Sequence, residues 1–165
     1  MKAGLAEPVV RGGPVDGVEV VPLRVNEDSR GWLAEVFRRD EVDPAVYPAM
    51  AYLSMTLPGV VRGPHSHRDQ TDRFCFAGPS RFRLTLWDAR ESSATRGAKM
   101  VVECGDGRPA IVVVPPGVIH AYRNIGLVEG LVVNCPDRLY AGPGRKEPVD
   151  EVRYEDRPDS PYRPE

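Results

Sequence analysis

Residues 59–78, GVVRGPHSHRDQTDRFCFAG, decide the fold of this chain. Within this segment His65 and His67 stand two residues apart, and Asp72 follows before the closing glycine. Side chains two apart on a β-strand project to the same side, so the two histidines are predicted to point into one interior.

A second segment, PPGVIHAYRN at 115–124, carries His120, and the whole chain has only 3 histidines. The two segments match the paired motifs of the cupins, with Asp72 where a glutamate is more usual. The second motif is expected to form a hairpin that brings His120 opposite His65 and His67. We therefore predict an all-β fold of the cupin type, a double-stranded β-helix or jelly-roll barrel.

The rest of the chain agrees with an all-β fold, because 17 prolines and 16 glycines divide it into short segments. Segment 81–87 alternates apolar with polar residues, as a half-buried strand does. Segment 110–114 is apolar on both faces and predicts a strand covered on two sides. One short helix is expected at 40–47. Strands are predicted at 18–25, 32–37, 50–57, 73–76, 81–87, 100–103, 110–114 and 130–134.

The length of 165 residues fits one domain. We expect a single cupin domain over 1–165, with an N-terminal strand arm at about 1–37. An acidic C-terminal tail at about 147–165 is expected to wrap the surface in extended form.

The charge balance argues against polyanionic partners. The formal net charge is −2, from 22 basic and 24 acidic residues, so neither nucleic acid nor a membrane surface is expected as a partner. No signal-like segment and no apolar run of about 18 residues occurs, which predicts a cytoplasmic protein. Cys75, Cys104 and Cys135 have no metal-finger spacing and are expected to be reduced.

Two kinds of chemistry fit the histidine pattern. His65, His67, Asp72 and His120 could hold a divalent metal such as Zn, Fe, Ni or Mn, with open positions for a ligand. Alternatively, one imidazole could act as a general base that removes a proton from carbon beside a carbonyl. The spacing alone leaves both open.

An ordered set of further motifs resembles the dTDP-4-dehydrorhamnose 3,5-epimerase family over most of the chain. The set comprises DSRGWLAEVF at 28–37, VVRGPH at 60–65 followed by Gln70, LWDAR at 86–90 with Ser93 and Thr95, PPGVIHAY at 115–122, and a late Tyr140. This resemblance implies an isomerase that acts on a dTDP-4-keto-6-deoxyhexose, a nucleotide sugar, and that requires no cofactor.

The resemblance also implies roles for individual residues. His65 would be the catalytic base, His120 a second pocket histidine that binds substrate, and Arg62 a contact to the nucleotide diphosphate. Arg30 and Glu35 match residues that reach the nucleotide from a neighbouring subunit, which implies a homodimer.

Several positions depart from the family pattern. Family members usually carry glutamine in place of His67 and lysine in place of Asp72. Alignment on Cys135 puts Val133 where the catalytic tyrosine stands, and the sequence stops at Glu165, before the stretch that supplies the aspartate partner of the base. Full 3,5-epimerase activity therefore does not follow from the resemblance, whereas fold and ligand class do.

The returning acid has to be supplied by another residue. His67 and three tyrosines are the candidates, and among the tyrosines Tyr140 keeps a family-like position ahead of Tyr122 and Tyr52. The run RGPHSH at 62–67 also resembles that of nucleotide-sugar ketoisomerases, which use both histidines without metal. Three hypotheses thus stand: an epimerase or isomerase, a metal cupin acting on another small molecule, and a non-catalytic sugar-nucleotide-binding cupin.

Overall fold

The computed structural model describes residues 5–165, so the first four residues of the predicted N-terminal arm lie outside the described part. Apart from two short 3₁₀ turns, the regular secondary structure of the described residues consists of β-strands. They are β1 Val9–Gly12, β2 Glu19–Pro22, β3 Val25–Asp28, β4 Gly31–Ala34, β5 Tyr52–Thr56, β6 Val61–Ser66, β7 Asp72–Gly78, β8 Arg81–Asp88, β9 Lys99–Gly105, β10 Ala110–Val114, β11 Val118–Asn124, β12 Gly130–Asn134 and β13 Val152–Arg153.

Two antiparallel sheets form the barrel. The first has six strands in the order β1-β9-β8-β11-β6-β13, and the second has five in the order β2-β10-β7-β12-β5. Strands β3 and β4 form a separate hairpin. Neighbours in each sheet come from distant parts of the chain, as expected for a jelly roll. The predicted all-β barrel is confirmed.

The main core lies between the two sheets. Phe82, Leu84 and Leu86 of β8 meet Phe74 and Phe76 of β7 there, all at most 2% exposed. Burial of this apolar surface is the main favourable contribution to folding, at about 25 cal/mol per Å².

The strand β10 confirms the expectation for segment 110–114, because all 5 of its residues are buried. Its odd-numbered residues, Ile111 and Val113, lie on the outer face of the sheet with Leu23 and Cys75. Ala34, near the end of the β3–β4 hairpin, packs against this outer cluster and helps to cover it.

Three local predictions differ from the structure. The strand predicted at 18–25 is divided, because β2 ends at Pro22 and the chain then leaves the sheet to form the β3–β4 hairpin. The one predicted at 32–37 ends at Ala34. The helix predicted at 40–47 is only a 3₁₀ turn, Pro44–Val46, because Tyr47 precedes a proline and takes an extended conformation.

The C-terminal tail does more than cover the surface. Its strand β13 pairs with β6 so that Arg153 lies opposite His65, and turns follow between residues 154 and 160. This pairing brings tail residues to the same end of the barrel as the histidines.

Cys75, Cys104 and Cys135 are buried free thiols, as predicted. Within residues 5–165, no helix has the length and apolar character needed to cross a membrane.

Candidate active site

Strands β6 and β11 bring the first and last histidines together. His65 pairs directly with His120 across the two strands, next to a register shift in β11, and their ring centroids are 4.5 Å apart. A Cβ on Gly63 would lie 2.6 Å from the carbonyl oxygen of His120, and its φ is +84°. Only glycine therefore allows this close approach of the strands.

His67 and Asp72 complete the group. His67 follows the end of β6, and Asp72 begins β7. The Oδ2 atom of Asp72 lies 3.3 Å from Nε2 of His67 and 3.3 Å from Nε2 of His120. One ligand atom from each of the four residues lies within 4.8 Å of all the others. The structure thus brings together all four residues that the motifs single out.

The carboxylate of Asp72 has one satisfied and one unsatisfied oxygen. Its Oδ1 atom accepts hydrogen bonds from Nε2 of Gln70 at 2.9 Å and from Nδ2 of Asn134 at 2.8 Å. In the described part of the chain, its Oδ2 and the Nε2 of His120 are buried without a hydrogen-bond partner. These two orphaned atoms face each other.

Backbone carbonyls set the orientation of two imidazoles. Nδ1–H of His120 donates to the carbonyl of Val118 at 3.0 Å, and Nδ1–H of His67 donates to the carbonyl of Asp150. A neutral imidazole that donates from Nδ1 keeps its lone pair on Nε2. In the neutral form of each ring, the Nε2 lone pair points towards Asp72.

Burial and charge perturb the ionisable groups. Burial, with His120 and His67 nearby, lowers the pKa of His65 to about 2, so its imidazole is neutral at pH 7. Burial alone would raise the pKa of Asp72, but the adjacent His120 and His67 hold it well below its usual value. Burial opposes protonation of His67, yet Asp72 raises its pKa overall.

A pocket of about 1160 Å³ opens beside this group. His65 and His67 form part of its wall, together with Tyr52, Tyr122 and Tyr140. Its volume lies slightly above the usual range for small-molecule sites, about 300–1,000 Å³.

His120 and Asp72 lie deeper than the pocket wall. Each is 1% exposed, and neither is among the described residues that line the pocket. The resemblance implied a direct substrate contact for His120. The ring is covered by Phe74, at 5.5 Å between centroids, and by His65, and the substrate-binding role of His120 stays a prediction.

Two acidic residues of the tail enter the site, and sequence reasoning missed both. The carboxylate of Asp150 accepts backbone N–H groups of Arg68, Asp69 and Gln70 at 2.8–3.0 Å, which fixes the loop after His67. A short PVDEV run at 148–152 is the only signal for this strand, and it gives no indication of which strand it joins.

Glu151 is the second of these acids and approaches His65. Its Oε1 lies 3.9 Å from Nδ1 of His65, and its Oε2 accepts from Nε of Arg153 at 2.8 Å. The tail thus supplies a carboxylate beside the histidine that the resemblance identifies as base.

The predicted nucleotide contacts lie in two places. Arg62 lines the pocket, and its guanidinium donates to Met55 O at 2.6 Å and to Thr56 Oγ1 at 3.0 Å. Arg30 and Glu35 are not among the described residues that line this pocket. Their exposed side chains pair with Asp28 and Arg38 respectively.

The position aligned with the family tyrosine faces away from the pocket. Val133 packs on the outer cluster that contains Cys75, whereas Asn134, the next residue, hydrogen-bonds to Asp72. Alternation along β12 therefore makes Asn134 the residue that faces the histidines. Asn134 also donates to the hydroxyl of Tyr52 at 3.0 Å.

Comparison with known proteins agrees with this architecture. The model of the family described as dTDP-4-dehydrorhamnose 3,5-epimerase matches residues 13–141. A probable low-salt glycan biosynthesis epimerase of Haloferax volcanii is 39% identical over 128 residues, 76% of this chain and 81% of that protein. A spore coat polysaccharide biosynthesis protein of Bacillus subtilis, SpsL, is 36% identical over 112 residues, 68% of this chain and 73% of that protein.

Among solved structures, a dTDP sugar isomerase from Desulfovibrio desulfuricans is similar with a TM-score of 0.77 and 26% identity, covering 90% of this chain and 91% of that one. The Haloferax protein is named a probable epimerase and the Desulfovibrio structure a dTDP sugar isomerase, and the family match spans most of the chain. The chain therefore belongs to the dTDP-4-dehydrorhamnose 3,5-epimerase family.

Proposed function

We propose that this protein is an isomerase that epimerises carbon beside the 4-keto group of a dTDP-4-keto-6-deoxyhexose, with His65 as the general base. One observation carries the proposal: His65 lines a large pocket with a carboxylate, Glu151, 3.9 Å from its Nδ1. The match to a family of dTDP-sugar enzymes favours this substrate class.

The reaction is a proton transfer in two steps. The neutral imidazole of His65 removes the proton next to the carbonyl, and the electrons of the broken C–H bond form an enolate. The resulting imidazolium is costly in a buried site that lowers its pKa to about 2. The carboxylate of Glu151 offsets part of this cost, because opposite charges about 4 Å apart favour each other.

The second step returns a proton to the opposite face of the same carbon. Tyr140 is the proposed acid, since it lines the pocket and a tyrosine hydroxyl is a proton donor. His67 is less suited, because its Nδ1–H is held by Asp150 and its Nε2 faces Asp72. The substrate loses one proton and regains one at the same carbon, so its oxidation state does not change. The proposed reaction therefore needs no redox cofactor.

Arg62 is the proposed contact to the nucleotide diphosphate. A guanidinium has five N–H donors, and the contacts to Met55 and Thr56 use two of its nitrogens. Its remaining donors can bind phosphate oxygens in a bidentate arrangement.

A homodimer would complete the pocket. Arg30 and Glu35 lie outside their own chain's pocket, which fits the proposal that they reach the site of a second copy. Exposed apolar side chains support a second copy as the occupant, namely Trp32, Leu33, Leu53, Met55 and Leu131, each 39–67% exposed. Such a patch favours association through the hairpin and β5.

Mixed dimers test this assembly. At a substrate concentration below KM, H65N and E35A chains, each expected to be impaired alone, should regain activity when co-refolded, because a mixed dimer contains one pocket with neither substitution. A statistical mixture restores about a quarter of the sites. Absence of recovery, or a monomer by light scattering at micromolar concentration, would refute the shared site.

Solvent deuterium exchange tests the reaction itself. The protein is incubated in D₂O with a dTDP-4-keto-6-deoxyhexose, and label is measured at the carbons that flank the carbonyl. We expect incorporation at one or both. Binding of the sugar nucleotide without exchange over hours would refute the enzyme and leave a non-catalytic binding protein.

A further inference from the structure

The geometry points to a divalent transition-metal site on His67, Asp72 and His120, with open positions towards the pocket. The inference concerns binding and does not depend on the reaction proposed above. It rests on distances, orphaned atoms and outer contacts of these three side chains.

The first argument is distance. Metal–ligand distances of about 2.0–2.2 Å in a tetrahedral site imply about 3.3–3.6 Å between neighbouring ligand atoms. Asp72 Oδ2 lies 3.3 Å from both Nε2 atoms, at the lower end of this interval. Imidazole and carboxylate ligands suit Zn, Fe, Ni and Mn.

The second argument concerns hydrogen bonds that are missing. In residues 5–165, Asp72 Oδ2 and His120 Nε2 have no hydrogen-bond partner although both residues are 1% exposed. A buried polar atom without a partner destabilises the folded state, because its hydrogen bonds to water are lost and not replaced. One cation between the three side chains would satisfy both atoms and the lone pair of His67 at once.

The third argument is that the rest of each ligand is already engaged. Nδ1 of His67 and Nδ1 of His120 donate to backbone carbonyls, and Oδ1 of Asp72 accepts from two side-chain amides. Metal-binding histidines and carboxylates have outer contacts of this kind, which hold the ligand atom towards the ion. Among the described residues, His65 has no hydrogen bond of this kind, since its Nδ1 lies 3.9 Å from Oε1 of Glu151.

The pocket connects the proposed metal site to solvent and to a bound small molecule. His65 and His67 line the pocket, so an ion can be reached from it, and three protein ligands leave positions open as in catalytic sites. When bound there, a divalent ion would polarise a carbonyl oxygen of a pocket ligand. His65 borders the same pocket and lies outside the three-ligand set.

Metal content is the direct test. The full chain, purified without a histidine tag, is dialysed against Zn²⁺, Fe²⁺, Ni²⁺ and Mn²⁺ separately, and bound metal is measured by elemental analysis. We expect about one ion per chain for at least one metal. D72N and H120N should lose it, whereas H65N should retain it. D88N removes another buried carboxylate, away from the site, and is the matched control that keeps the ion.

Thermal unfolding supplies a second readout if D72N or H120N fails to fold. Saturating metal should raise the Tm of the unsubstituted protein by about 5–10 °C, and a chelator should reverse this. Less than a tenth of an ion per chain with no Tm change for any metal would overturn the proposal. Retention of the ion by D72N would also overturn the proposal. Loss of the ion from H65N would overturn the assignment of only three ligands.

These outcomes separate the site from the proposed reaction. Bound metal without deuterium exchange leaves the site standing and refutes the epimerase. Deuterium exchange by a protein that binds none of the four metals would support the epimerase and refute the metal site.

Discussion

The carboxylate oxygen Oε1 of Glu151 lies 3.9 Å from Nδ1 of His65, because strand β13 pairs with β6. The tail thereby places an acid beside the proposed base, at a distance that suits electrostatic stabilisation of an imidazolium better than a hydrogen bond. The two residues form the centre of the proposed mechanism.

His65→Asn should lower turnover by about 10²–10⁴-fold while leaving dTDP binding nearly unchanged, since general-base catalysis acts on the chemical step. Deuterium incorporation and calorimetric binding of dTDP measure the two effects separately. Undiminished exchange in this variant would place the base elsewhere, with His67 as the next candidate.

Glu151→Gln should lower kcat by about 10²-fold with a small change in KM, because it removes the charge that favours protonated His65. Glu151→Asp should recover part of the rate. Glu155 lines the same pocket, so Glu155→Gln is the matched control and should stay within a few-fold of the unsubstituted protein. Equal losses in both variants would argue against a specific partner for His65.

Tyr140→Phe should separate the two halves of the reaction. Return of the proton to the opposite face should fall by about 10²-fold, whereas deuterium exchange on the original face should persist. Product stereochemistry and label are followed together by NMR. Tyr52→Phe is the comparison, because the Tyr52 hydroxyl is already held by Asn134. Loss of inversion in Tyr52→Phe alone would assign the acid to Tyr52.

Arg62→Ala should raise KM by about 10–100-fold with little change in kcat, because a phosphate contact contributes similar binding energy to ground and transition states. Initial rates over a range of substrate concentrations measure this. Arg11, which pairs with Glu103 on the outer strands, provides the control Arg11→Ala. A fall in kcat alone would show that Arg62 acts on the chemistry instead.

Asp88, in the LWDAR motif, is expected to stabilise the folded state through its buried charged contacts. Its side chain is 0% exposed, and Arg90, then Ser93 and Thr95, hold its pKa well below the usual value. A lowered pKa gives stability that is present above about pH 4 and lost as the pH falls through the folded-state pKa. Asp88→Asn should therefore cost about 2 kcal/mol at pH 7 and less at pH 3.

Urea unfolding at the two pH values measures this difference. Asp40→Asn is the control, because Asp40 makes an exposed pair with Arg38 and such pairs contribute little. An Asp88→Asn cost that is the same at both pH values would contradict the electrostatic origin of the effect.

The sequence alone determined the barrel and the identity of the four grouped side chains. Alternation in 81–87, the apolar run 110–114 and the spacing of His65 and His67 depend on the period of a strand, which is a local property. The structure follows each of them. Where alternation was interrupted by proline, as at Pro22, the predicted strand was divided instead.

The tertiary structure alone decided which distant residues meet. Sequence spacing does not specify that β13 joins β6, so the approach of Glu151 to His65 and of Asp150 to His67 could not be read from it. The same holds for Val133, whose alignment suggested the pocket but whose strand face directs it to the outer cluster. Pairing between strands depends on the packing of the whole barrel, whereas periodicity depends only on neighbouring residues.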